Sequence, residues 1–350
     1  MKIAVLIPPF TTLPAKGQGG TERVAEGMIN ELVKRGHDVT LFGAGDCQPR
    51  CKFHQVFKKT ITDEKFDSAE IESSRPLRIE TAYITKVMKY LSDHDGEFDV
   101  VFNHLRGGYL LLPLFEKLRT PVISVFHLPL FEEIILALED FENPLVTSIS
   151  NSQRKPAGDR INFLATVYNG LELSEFEFNS NPDDYFVFIG AMGEHKAPHL
   201  AIEAAKKAGT NLKLIGGKTR EPYFSEIVKP QLDGTQIQYL GEIDSPTRNE
   251  LLKNAKGFLF PINWEEPFGL VVIEAMACGA VPIVFDHGAM REIIDDGIDG
   301  FIVSDVDQMS QRIREIRSID RKKCREKVEQ KFTYEKMVDG YMQAYGKIKK

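Results

Sequence analysis

The sequence predicts an α/β protein of two doubly wound units that face each other across a central cleft. Three observations predict it. Short, nearly continuous apolar runs alternate with helical stretches, as in parallel sheets covered on both faces. The alternation occurs twice, with a polar, turn-rich passage between the two series. And 350 residues exceed what a single hydrophobic core usually supports.

The first series places strands at residues 2–7, 38–42, 99–103, 121–126, 146–150 and 165–168. The second places them at 185–189, 211–215, 236–240, 257–261, 281–285 and 300–303. The domain plan is therefore a first unit over 1–168, a linker over 169–184 (NGLELSEFEFNSNPDD) and a second unit over 185–333, with a C-terminal helix over 334–350 that is expected to pack back on the first unit. From Asp307 onward, Ile313, Ile316, Met337, Tyr341 and Tyr345 recur at helical spacing among lysines and arginines, which reads as solvated helices. The basic residues also leave a peripheral contact with an anionic membrane open, although neighbouring acids dilute them.

Composition excludes several classes. A hydrophobic fraction of 42% with 27% charged residues is that of an ordinary globular protein, and no apolar run approaches the ~18 residues that cross a bilayer. The opening MKIAVLIPPF stops at Pro8-Pro9, short of a signal-peptide core, and reads as a first strand. A net charge of −7 argues against nucleic-acid binding. Four scattered cysteines, Cys47, Cys51, Cys278 and Cys324, suggest reduced thiols in a cytoplasmic protein.

The chemistry concentrates in EEPFGLVVIEAMACGA, Glu265 to Ala280. After the strand at 257–261 comes a loop, then a helix over residues 269–278 closed by Gly279. The free N–H groups of Gly269, Leu270 and Val271 would project beyond the carboxyl end of a strand, a place for a phosphate. Glu274 lies about one turn further along so apolar a helix that its charge requires either a ligand hydroxyl or a cation; a bound sugar or ribose, or an internal ion pair, would each suffice. Glu266 is either a solvated loop acid or a group reaching a polar ring beyond the phosphates.

Glu266 and Glu274, with seven residues between them, make an E-x7-E pattern, and EPFGLVVIEAMACG follows the usual wording of one family over fourteen positions. The chain resembles the retaining glycosyltransferases of family 4, which have the GT-B fold of two Rossmann-like domains. The resemblance extends through GGTERVAEGMINELVKRGHDVTLFGAGD, SISNSQRK, ATVYNGLELSEF, GEHKAPHLAIEAAKKAG and GAMREIIDDGIDGFIV.

It implies a hexosyltransferase-type enzyme moving a sugar from a nucleotide-diphosphate sugar to an acceptor hydroxyl, with retention and with neither cofactor nor metal. It implies that Glu274 holds the ribose, Glu266 the transferred sugar, and Lys196 the phosphates. The amides after Phe268 (Gly269, Leu270, Val271) and the loop from Gly288 would hold diphosphate and sugar. Gly19, Gly20 and Thr21 would face the diphosphate or the acceptor. His127, at the end of PVISVFH, would point toward the reacting sugar, although alone it reads more often as a satisfied strand-end histidine; His104 is a further acceptor-side candidate.

One departure stands out. The family has arginine and, five residues later, lysine followed by glycine; here Ala191 replaces the arginine and Ala197 the glycine. Another cation, Arg220 or His195, then takes the arginine's role, or the diphosphate binds more weakly. A catalytically weak sugar-nucleotide-binding protein, and a GT-B epimerase or phosphorylase, are the alternatives. A nicotinamide dehydrogenase fits poorly, because GQGGTE lacks the G-x-G-x-x-G spacing. The pair Asp295-Asp296 reads as turn acids and not as a metal site.

Overall fold

The structure is a computed structural model that describes residues 1–15, 19–62, 75–218 and 221–348. The chain divides into two compact units, Met1–Gly170 with Tyr334–Lys350, and Leu171–Thr333.

The first unit contains, among the described residues, the strands β1 (Lys2–Leu6), β2 (Asp38–Ala44), β3 (Lys52–Phe57), β4 (Val100–Asn103), β5 (Val122–Val125), β6 (Val146–Ser148) and β7 (Ala165–Thr166). They form one parallel sheet in the order β3-β2-β1-β4-β5-β6-β7. The interior strands read VVFN and VISV, buried at every position, because helices cover both faces. β3 is absent from the strands expected from sequence. It lies at the sheet edge, and of KFHQVF only Val56 is buried, so it lacks the apolar run that marks an interior strand.

The second unit repeats the plan with β8 (Phe186–Ile189), β9 (Leu212–Ile215), β10 (Ile237–Tyr239), β11 (Gly257–Phe260), β12 (Val281–Phe285) and β13 (Phe301–Val303), in the order β10-β9-β8-β11-β12-β13. Both orders reverse direction once, between β1 and β4 and between β8 and β11. These are the switch points at which doubly wound sheets open a crevice beyond the carboxyl ends of their strands.

Residues 171–184 pack within the second unit. Phe176 is buried, Asn179 bonds Asn254, and Lys253 pairs with Glu177 at 2.9 Å. The helix Tyr334–Ile348 belongs to the first unit. Its Tyr334 ring lies so close to Gly27 that a Cβ there would sit 2.0 Å from it, and the Tyr334 hydroxyl donates to the Arg23 carbonyl at 3.2 Å. Arg35 meets Asp339 at 2.7 Å, and the Tyr341 ring packs edge-on against Phe102 at 5.6 Å. Ile313, Ile316, Met337, Tyr341 and Tyr345, read from sequence as solvated helices, are all buried, because their apolar stripe faces each unit's own core.

Candidate functional site

At the carboxyl end of β8 the chain turns through Gly190 and Ala191 to Lys196. Ala197 then adopts a left-handed conformation (φ 50°) before the helix Pro198–Ala208 begins. That conformation is strained for alanine and natural for the glycine the family carries there. The turn presents the Lys196 ammonium to the loop that follows β11.

There Lys196 forms an ion pair with Glu266, their side chains 17% and 15% exposed. The ammonium also lies over the Trp264 ring, 4.8 Å from its centroid, and 5.5 Å from that of Phe260. The Trp264 indole N–H donates to Glu266 Oε2 at 2.9 Å. Asn263 N donates to the His195 carbonyl at 2.9 Å, so backbone as well as side chains join the two loops. Residues 70 positions apart in sequence thus share one spot beside the β8/β11 switch point.

The loop after β12 closes on the same spot. Gly288 N donates to Glu265 Oε2 at 2.9 Å, the His287 ring donates from Nδ1 to Glu265 Oε1 at 3.2 Å, and Ala289 N donates to the Glu266 carbonyl at 3.0 Å. A Cβ on Gly288 would lie 2.1 Å from that carbonyl oxygen, and its φ is +60°, so only glycine fits. Glu265 is therefore a loop clasp rather than a free acid.

The helix Leu270–Ala277 starts from Gly269, whose φ of +106° turns the chain into it; a Cβ at Gly269 would also meet Met290 at 2.8 Å. Phe268 is buried edge-on against Phe332 at 5.8 Å, which leaves only its backbone for a ligand, whereas Leu270 and Val271 are partly exposed. Glu274 is 1% exposed, and the cation that meets it is Arg248 of the helix Ser245–Asn254, with Nη2 at 3.5 Å. The internal ion pair that the sequence left open is thus present. Arg248 carried no signal in the sequence, since SPTRNELLKN reads as a solvated helix.

In the first unit, Gly19 caps the helix Gly20–Lys34, and Thr21 and Glu22 are buried in its first turn. His127 follows β5 and is half-buried. Its Nε2 is 2.8 Å from Nδ1 of His104, which is buried at the end of β4. Burial, and next the positive charge of Arg106, push the His127 pKa down to about 4. Burial, with His127 beside it, pushes that of His104 well down too. The sequence offered each histidine separately; the pairing follows from β4 and β5 being neighbours in the sheet.

The model of Glycosyltransferase Family 4 matches residues 18–161, and that of Glycosyl transferases group 1 matches residues 172–333. Between them they take in most of both units. The chain belongs to the family 4 glycosyltransferases of the GT-B fold.

This glycosyltransferase is 25% identical to the phosphatidyl-myo-inositol mannosyltransferase of Mycolicibacterium smegmatis over 89% of its own length and 83% of that protein's. It is 27% identical to an uncharacterized glycosyltransferase of Methanocaldococcus jannaschii, but that match spans only 52% of this chain and 53% of the relative. Among solved structures it resembles AviGT4, a glycosyltransferase involved in avilamycin A biosynthesis (TM-score 0.75, 19% identity, covering 99% of this chain and 97% of that one). It also resembles the sucrose-phosphate synthase of Thermosynechococcus elongatus (TM-score 0.78, 17% identity, 99% and 98% covered), and Anabaena HepE in complex with UDP and glucose (TM-score 0.72, 16% identity, 99% and 100% covered).

Of the two cations weighed for the place of the missing arginine, Arg220 lies outside the described residues. His195 turns its ring edge-on to Trp264, with centroids 5.5 Å apart. Lys218 is a cation that sequence reading missed here. It follows Gly217, whose carbonyl accepts from Met192 N at 2.8 Å, and its ammonium rests over the Phe224 ring at 4.6 Å. In the glycosyltransferase's DDGIDG turn, Asp295 is ion-paired with Lys327, and Asp296 accepts from Ile302 N at 2.8 Å. Among the described residues no group of three or more His, Cys, Asp or Glu stands together to hold a metal ion, and no described helix is long and apolar enough to cross a membrane.

Proposed function

We propose that this glycosyltransferase is of the hexosyltransferase type and moves a sugar from a nucleotide-diphosphate sugar to an acceptor hydroxyl, with retention and without a metal. The observation that carries the reading is the meeting of Lys196, Trp264 and Glu266 at the β8/β11 switch point, beside the helix Leu270–Ala277. HepE, of the same fold, binds UDP and glucose, which supports a nucleotide-sugar donor.

In this reading the donor's diphosphate takes the Lys196 ammonium from Glu266 and lies against the first amides of the helix Leu270–Ala277. Glu266, still held by the Trp264 N–H, turns its freed lone pairs to hydroxyls of the sugar. The bond between the anomeric carbon and the phosphate oxygen breaks, and the electron pair leaves with the phosphate. The acceptor oxygen attacks the same face of the sugar, and its proton passes to the departing phosphate. Charge neutralisation on the leaving group is the protein's main contribution, because the sugar is already activated. Glu274, paired with Arg248, is assigned to the ribose hydroxyls, and Gly19, Gly20 and Thr21 to the diphosphate or acceptor.

A thermal-shift screen of UDP, GDP, ADP and TDP identifies the base, since a bound nucleotide raises the melting temperature by mass action. Transfer from the matching sugar nucleotide in excess chelator, with the product's anomeric configuration read by proton NMR, tests the rest. A chelator-sensitive or inverting transfer would overturn the mechanism; no transfer to any hydroxyl acceptor, with binding intact, would favour the sugar-nucleotide-binding alternative.

A further inference from the structure

We infer that His104 is a positioning residue that fixes His127 in its neutral Nδ1–H tautomer, so that His127 offers the substrate a hydrogen-bond donor and not a base. The inference rests on the proposed function for its substrate, a sugar hydroxyl, but its structural core stands alone.

The two rings share one hydrogen bond, 2.8 Å between His104 Nδ1 and His127 Nε2. Only one of the rings can donate. If His127 donated from Nε2, neutral His104 would accept on Nδ1 and carry its own proton on Nε2. That atom is fully buried and has no hydrogen-bond partner. An orphaned buried N–H is among the rarest and costliest features of folded proteins, whereas an unpaired acceptor lone pair is better tolerated. If His104 donates instead, its unpartnered Nε2 is a bare lone pair. The second arrangement is favoured, and it leaves His127 with its proton on Nδ1.

A doubly protonated pair is excluded, because it would set two N–H groups, and two positive charges, against each other at 2.8 Å. Burial opposes charging either ring. The Tyr341 ring lies edge-on to His104 with centroids 6.5 Å apart, and His104 is buried, so its Nε2 is out of reach of bulk water. Among the described residues His127 Nδ1 has no hydrogen-bond partner, and His127 is the member of the pair that reaches the surface. A neutral donor suits a sugar hydroxyl oxygen near a forming oxocarbenium ion, where a second positive charge would be unfavourable. The dependence is that of a second group setting which nitrogen of a histidine carries the proton.

The test is long-range 1H–15N correlation NMR of the full chain labelled at histidine, with His127 assigned from a His127→Asn sample. Wild type should show neutral His127 with its proton on Nδ1 from pH 6 to 8. His104→Asn, which places an amide N–H where Nδ1–H stood, should keep that tautomer. His104→Phe, which removes the donor, should shift His127 toward Nε2–H and lower kcat/KM for transfer by about 10–100-fold while leaving nucleoside-diphosphate affinity unchanged. A wild-type spectrum with the proton on Nε2 overturns the inference without reference to any variant's folding. So does a His104→Phe enzyme with an unaltered tautomer. If no transfer is found with any donor but the tautomer is as stated, it is the proposed function that has failed and not this assignment.

Discussion

Replacing Glu274 with glutamine removes a charge from the helix Leu270–Ala277 with almost no change in volume, and two separate losses should follow. The first concerns stability. Glu274 is 1% exposed and the Arg248 side chain 13%, with 3.5 Å between them, a gross attraction of about 5 kcal/mol at an effective dielectric constant near 20. Much of this is offset by the cost of taking both charges out of water. Removing one member of a buried pair typically costs 3–5 kcal/mol, but Arg248 keeps contacts with Asn249 and some access to solvent, so a loss of about 1–3 kcal/mol is expected. For a domain of this size that corresponds to a fall in melting temperature of roughly 2–10 °C, read by calorimetry on the empty protein. The second concerns the ligand: loss of a charged acceptor should weaken nucleoside-diphosphate binding by roughly 1.5–3 kcal/mol, read by calorimetric titration. A double-mutant cycle with Arg248→Met separates the two. A coupling below about 0.5 kcal/mol would refute the ion pair as an energetic unit, and unchanged nucleotide affinity in Glu274→Gln would refute the ribose assignment.

Three further outcomes follow from the geometry. Because the His127 pKa is held near 4, below that of an unfolded histidine, the unfolded chain binds the extra proton first as pH falls; stability should therefore drop between about pH 6.5 and pH 4, by up to roughly 1–3 kcal/mol, and His127→Asn should flatten that part of the melting profile. Ala197→Gly relieves a left-handed alanine costing about 1–2 kcal/mol against roughly 0.5–1 kcal/mol of added chain entropy, so the melting temperature should rise slightly, and a fall would show that the strain is relieved elsewhere. Ala191→Arg, restoring the family's residue, should tighten diphosphate binding by at most about 1.5–3 kcal/mol and monophosphate binding by less; no gain in titration would mean that Lys218, Arg220 or another cation already holds the place.

The strands were legible because a parallel strand covered on both faces must be apolar throughout, and such runs as FVFI and GFLF admit no other reading of that length. The helix after Gly269 was legible from its two glycines, which take φ of +106° and, at Gly279, +82°. What escaped were features that depend on neighbours. β3 sits at an edge, where one open side permits polar residues, and so leaves no pattern. Arg248 meets Glu274 only because two helices lie side by side, and Trp264 reaches Glu266 only after the loop has folded. The family resemblance assigned Lys196 and Glu266 to one ligand; their direct pairing in the resting protein required the β8 and β11 loops to be placed.

The most direct test of the account is the release of nucleoside diphosphate from the preferred donor by wild type, Lys196→Ala and Glu266→Ala, alongside each protein's affinity for the nucleoside mono- and diphosphate. Trp264 is the chain's one tryptophan and touches both side chains, so its fluorescence reports binding in the same cuvette. The account predicts near-abolished transfer in Lys196→Ala with diphosphate affinity lost and monophosphate affinity kept, and in Glu266→Ala a loss of turnover larger than any loss of nucleotide affinity. Wild-type rates in Lys196→Ala, or equal losses of turnover and nucleotide affinity in Glu266→Ala, would contradict it.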